Sequence, residues 1–61
     1  MKMYIGLGWS WDVYRDIYCK NGFEVTKELV MNRLRDIQKP AYETNIVSAC
    51  DWIYKKYKGE A

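Results

Sequence analysis

Few side chains here are of a type to do chemistry. The chain of 61 residues has no histidine, two cysteines and eight carboxylates. Asp12 and Asp16 stand four apart, so on a helix they share a face. A carboxylate pair works as acid and base only when its surroundings push the two pKa values apart. Arg15 and Lys20 are near in sequence, and the group reads as solvated surface charge. Cys19 falls on the same polar side, but no histidine is present to act as its base. Ser10 reads as a helix cap, and Ser48 has no evident base. The two cysteines are 31 positions apart, which with no histidine excludes a structural zinc site. No metal or cofactor is expected, and the chain reads as non-catalytic.

Gly6-Leu7-Gly8 resembles a phosphate loop only superficially. It lacks a third glycine, a following lysine and a preceding long strand, and reads as an adaptable linker.

The elements that must position these groups are read as helices. The organising stretch is 41–58. Ile46, Ala49, Cys50, Ile53 and Tyr57 recur along one face of a helical period. Pro40 suits a first turn, Thr44 or Asn45 offers an alternative N-cap, and Gly59 suits a left-handed ending. A second helix is predicted over 24–38, capped by Thr26, with Val30, Met31, Leu34 and Ile37 as its buried stripe. Val25 and Leu29 lie off that stripe. Residues 10–21 read as a first helix, with Gly22 as its left-handed end. Residues 1–9 read as an extended arm across the helices; the alternative is a brief strand at Tyr4, Ile5 and Leu7, which would need a dimer to supply its partner. The expected fold is an all-α, three-helix single domain spanning 1–61. The alternative is an α+β fold with a hairpin turning at Asn21-Gly22, which pairs Lys20 with Phe23 and Cys19 with Glu24. That register does not separate apolar from polar residues cleanly, so the helix is preferred.

Composition narrows the function classes. The net charge of +2 is too small to mark a nucleic-acid binder by itself. No apolar run approaches the length of about 18 residues that spans a membrane. The opening MKMYIGLGW lacks the apolar core and cleavage site of a signal peptide, so a cytoplasmic setting with both thiols reduced is expected, a Cys19–Cys50 disulfide being the alternative. A chain this short buries only ~60% of its unfolded surface. Ten aromatic side chains supply much of the burial and favour an apolar surface patch, which makes a homo-oligomer an expectation.

Trp52 stands off the seam of the 41–58 helix, beside Asn45, Ser48 and Lys56. It reads either as packing on the N-terminal segment or a second subunit, or as an exposed aromatic anchor for a partner. On the second reading Trp52, Lys56, Lys55, Ser48 and Arg33 form a partner-binding surface. The function expected is a small protein-binding module that blocks or recruits a larger protein. By size alone it is comparable with accessory proteins of phages and mobile elements. A helix-turn-helix is the alternative. It would put Tyr42, Thr44, Asn45 and Ser48 on base edges, and Arg33, Arg35 and Lys39 on phosphates. A second alternative is a structural subunit of a homo-oligomer.

Asn45-Ile46-Val47-Ser48-Ala49-Cys50-Asp51-Trp52-Ile53 is similar to the Asn-Val-x-x-Ala-Val-x-Trp-Leu pattern in the last helix of ubiquitin-associated domains. Asn21-Gly22-Phe23 resembles their Met-Gly-Phe loop. The likeness covers a dozen residues in two pieces, with Asn21 where the methionine stands and a longer stretch between. It implies a compact three-helix fold that binds ubiquitin-like partners.

Overall fold

The computed structural model describes residues 1–59, so the last two residues of the expected 1–61 domain lie outside the described residues. The fold is α+β, not all-α. Four strands, β1 (Lys2–Gly6), β2 (Trp9–Asp12), β3 (Ile17–Lys20) and β4 (Phe23–Thr26), form an antiparallel meander in the order β1-β2-β3-β4. Two helices follow, α1 (Lys27–Asp36) and α2 (Glu43–Tyr57). The expected arm is therefore an edge strand, and the expected first helix is β2, a turn and β3. The three-helix arrangement implied by the ubiquitin-associated likeness is absent, because residues 21–23 make a hairpin turn and enter a strand.

Turn chemistry explains the meander. Asn21 and Gly22 have φ of 49° and 81°, the pair of left-handed residues that a two-residue hairpin turn requires. Lys20 pairs with Phe23 and Cys19 with Glu24, the register of the hairpin alternative. Leu7 and Gly8 make a similar turn between β1 and β2, so the Gly6-Leu7-Gly8 linker is a tight hairpin. Between β2 and β3, the Asp12 carboxylate accepts the backbone N–H of Tyr14 at 3.2 Å and of Arg15 at 3.1 Å. The Arg15 N–H, the guanidinium of Arg15 and the Tyr14 N–H together hold the Asp12 carboxyl below its usual range against the opposing effect of burial. Asp16 takes a left-handed φ of 54° and accepts the Trp11 indole N–H at 2.9 Å. Asp12 and Asp16 are thus turn-building groups rather than a pair on one helix face.

The helix-side face of the sheet carries Trp11, Tyr18 and Val25 in one cross-strand row. Trp9, Tyr18 and Val25 are buried there against Val30 and Leu34 of α1 and Val47, Ala49 and Cys50 of α2. Trp9 has no exposed surface and meets Tyr54 edge to face, with ring centroids 5.8 Å apart and planes at 89°. Phe23 closes the same cluster, 5.3 Å from Tyr54 and 4.8 Å from Tyr57. Lys20, paired with Phe23, reaches out from this face. Its ammonium sits 3.8 Å from Asp51 and 5.2 Å from the centre of the Tyr54 ring. A long stem over apolar surface with its charge at the margin is the ordinary way a lysine occupies such a position.

α1 begins and ends as its local sequence directs, and α2 does so only at its C-terminus. Thr26 caps α1, accepting the Leu29 N–H at 3.3 Å. At its end Gln38 is left-handed, and the Gln38 and Lys39 N–H groups return to Arg35 and Leu34, a Schellman ending ahead of Pro40. Tyr42 is the N-cap residue of α2 and makes no side-chain cap, so neither Pro40 nor Thr44 nor Asn45 opens the helix as expected. Gly59, at φ 78°, closes α2 as expected.

The Asn21-Gly22 turn yields a test of the meander. A Cβ at Gly22 meets nothing within 4 Å, so Gly22→Ala carries no clash and only the cost of a left-handed backbone. That cost is about 1–2 kcal/mol. A lower urea midpoint with an unchanged slope is the expected result, and Gly22→Asn should lose much less.

Candidate partner-binding surface

α2 presents Trp52 towards α1, at the margin of their packing. The Arg33 guanidinium of α1 lies over the indole, 3.8 Å from its centre, and the Lys56 ammonium lies 4.9 Å from the same centre. Arg33 and Trp52 are both only partly exposed. Each such cation–ring contact contributes about 0.5–2 kcal/mol, more as water is excluded. Arg33 also lies 3.7 Å from Asp36, one turn on, while its Nε is buried without a hydrogen-bond partner among the described residues. Trp52, Arg33 and Asp36 line a shallow cavity of ≈ 380 Å³ with Leu29, Asn32 and Ile53. Leu29 is 49% exposed beside them. The surface is an aromatic plate held by two cations, with an exposed aliphatic neighbour.

Of the residues expected to form one surface, the structure brings together Trp52, Lys56 and Arg33. Lys55 is turned to Asp51, 3.2 Å away along the same helix. Ser48 lines a different depression, with Leu7, Thr44 and Val47 beside the β1–β2 turn. Sequence reasoning placed Leu29 off the buried stripe but not next to Trp52. It offered a brief strand at Tyr4, Ile5 and Leu7 only as an alternative to the arm and did not foresee β2 as its partner, which leaves an open β1 edge where Tyr4 is 71% exposed and Met3 48% exposed, next to Met1 at 71%. The available signal was the recurrence of Met1, Met3 and Ile5 at every second position, a strand period broken by the aromatic Tyr4.

The groups considered for catalysis sit apart. Cys19 and Cys50 are free thiols. Cys50 is fully buried on α2, whereas Cys19 alternates with the core residue Tyr18 and so faces the other side of the sheet. Burial, then the neighbouring Asp51 charge, pushes the Cys50 thiol up to about 12. Burial also raises Tyr18. Among the described residues no three His, Cys, Asp or Glu side chains are grouped to hold a metal ion. No described helix is long and apolar enough to cross a membrane.

The Cys50 shift has a sign that can be checked. The unfolded thiol ionises near its ordinary pKa of ~8.5, and the folded one only near 12. Stability is therefore fully present below the unfolded value and is lost above it, by up to about 1.4 kcal/mol for each further pH unit until the folded thiol also ionises. Urea titrations between neutral and strongly alkaline pH should show this loss, and Cys50→Ala should flatten it. At neutral pH a thiol reagent should label Cys19 quickly and Cys50 only on unfolding.

No protein-family model matches the chain, and neither a curated protein nor a solved structure matches it.

Proposed function

We propose that this chain is a non-catalytic protein-binding module whose contact surface is centred on Trp52. The observation that carries the reading is Trp52 with the Arg33 guanidinium and the Lys56 ammonium over its ring, lining one cavity with exposed Leu29. Trp and Arg dominate binding hot spots because they combine large buried area with directed polar contact. A ring already fixed by cations loses little conformational freedom when a partner covers it. The partner is a larger protein that this small domain blocks or recruits, with Lys56 at the rim steering an acidic surface onto it.

The helix-turn-helix alternative is less supported. Arg33, one of its phosphate contacts, lies over Trp52. The amide of Asn45, one of its base readers, donates to the Pro40 carbonyl at 2.9 Å.

The test is capture of partners from a lysate of the source cells, with and without nuclease, using the wild type and Trp52→Ala. A protein retained after nuclease and lost with folded Trp52→Ala supports the reading. Partners that vanish with nuclease, or that bind Trp52→Ala equally, overturn it.

A further inference from the structure

We propose that the open edge of β1 is a dimerisation site, at which β1 of a second copy adds antiparallel across a two-fold axis. The backbone dictates which groups are available. Val13 donates its N–H to the Met1 carbonyl, and Met3 stands opposite Trp11. Hydrogen-bonded and non-bonded pairs alternate along an antiparallel ladder. Met1 and Met3 therefore turn their peptide groups to β2, and Lys2 and Tyr4 turn theirs to the open edge. Such an edge is a template for another strand.

The side chains favour a copy of the same strand. Met3 belongs to the cross-strand row of Trp11, Tyr18 and Val25, on the helix-side face. There it lines a groove of ≈ 370 Å³ with Ile5, Trp11, Tyr18 and Ile46. Apolar residues at every second position of an incoming strand lie against the Ile5, Trp11, Tyr18 and Ile46 part of that groove, whose lining also includes Lys27 and Glu43. β1 supplies such residues in Met1, Met3 and Ile5. Pairing centred on Met3 sets Met3 against Met3 of the second copy, with Met1 opposite Ile5 and Lys2 opposite Tyr4. No like charges then oppose, and each Lys2 ammonium is within reach of a Tyr4 ring. The register irregularity between Tyr4 and Gly6 takes the backbone out of the regular ladder and ends the pairing at Ile5.

The other edge offers no such site. Beside it Val25 is fully buried, Phe23 is covered by Tyr54 and Tyr57, and Glu24 and Thr26 are polar. Thr26 is moreover engaged as the cap of α1. No residue lines both the β1 groove and the Trp52 cavity, so this inference is independent of the proposed partner surface.

The test is sedimentation equilibrium on the full chain over a dilution series up to about 1 mM. The wild type should pass from monomer to dimer mass, and exchange of the Lys2 and Tyr4 amides should slow over the same range. Tyr4→Pro removes an outward N–H and leaves the Met1 and Met3 contacts to β2, so it should stay folded and weaken the dimer about tenfold or more. Met3→Lys and Met3→Glu should each be monomeric, and their equimolar mixture should form a heterodimer. Near-ultraviolet circular dichroism of buried Trp9 checks that each variant is folded. A wild type that stays monomeric at the top of the series overturns the dimer and leaves the edge for a strand of another protein. A dimer that survives folded Tyr4→Pro and Met3→Lys unchanged also overturns it.

Discussion

Trp9→Ala is expected to unfold the domain. Trp9 is the largest of the fully buried side chains, and it stands where β2 meets both Phe23 of β4 and Tyr54 of α2. Removing a buried Trp or Phe costs about 3–5 kcal/mol, because the cavity closes only in part. A domain of this size has a total of roughly 3–9 kcal/mol to lose. The edge-to-face contacts to two rings go as well, so the loss should sit at the upper end. Trp9→Phe is the informative companion. The indole Nε1 is buried with no hydrogen-bond partner among the described residues, so phenylalanine removes an unpaired donor along with part of the ring. The unpaired donor offsets part of the packing loss, and Trp9→Phe should remain folded with a smaller fall in urea midpoint. A folded Trp9→Ala with near-wild-type stability would contradict the core described here.

Trp52→Ala should have the opposite profile. Its expected effect falls on binding, with dissociation constants raised about 30-fold or more, as for a hot-spot residue. Stability should fall by only about 1–2 kcal/mol, because what is lost is contact with Arg33 and Lys56 at the margin of the helix pair. Leu29→Ala should weaken the same partner less. Lys55→Ala and Ser48→Ala should hardly matter, since Lys55 is turned to Asp51 and Ser48 lines another depression. Isothermal titration with the captured partner, alongside urea titration of each variant, separates the two effects. If Trp52→Ala unfolds the isolated domain, Trp52 is core and its surface role fails.

These two tryptophans mark where sequence reasoning reached and where it stopped. The off-seam position of Trp52 follows from helical period alone, because α2 is a helix whatever it packs on. Its company does not follow. Arg33 reaches it only because α1 and α2 lie side by side in a particular rotation. Sequence alone puts Trp9 in an arm, because its burial depends on a sheet whose strands are distant in sequence from the helix that covers them.

Some local devices were legible: Val30 and Leu34 of α1 and Ala49 and Cys50 of α2 are buried on the expected stripes, Thr26 caps α1 and Gly59 is left-handed, whereas Tyr57 of the expected α2 stripe is exposed and Val47, outside it, is buried. Each of the legible devices depends on contacts within a turn or two, or on residue type alone. Residues 10–21 were not legible, for a definable reason. Asn21-Gly22 supplies left-handed backbone, which a helix ending and a two-residue hairpin need equally. Val13, Tyr14, Ile17 and Tyr18 fit one side of a helix and also suit strands. The choice falls to partners far along the chain: Trp11, Tyr18 and Val25 aligned in one row, and Asp51 of α2 waiting for Lys20. Sequence by itself determined the Thr26 cap, the left-handed Asn21, Gly22 and Gly59 and the centre of each helix's apolar stripe, because those are short-range energies. Only the tertiary structure decided between helix and sheet in the first half, because that choice depends on burying Trp9, Tyr18 and Val25 against α1 and α2.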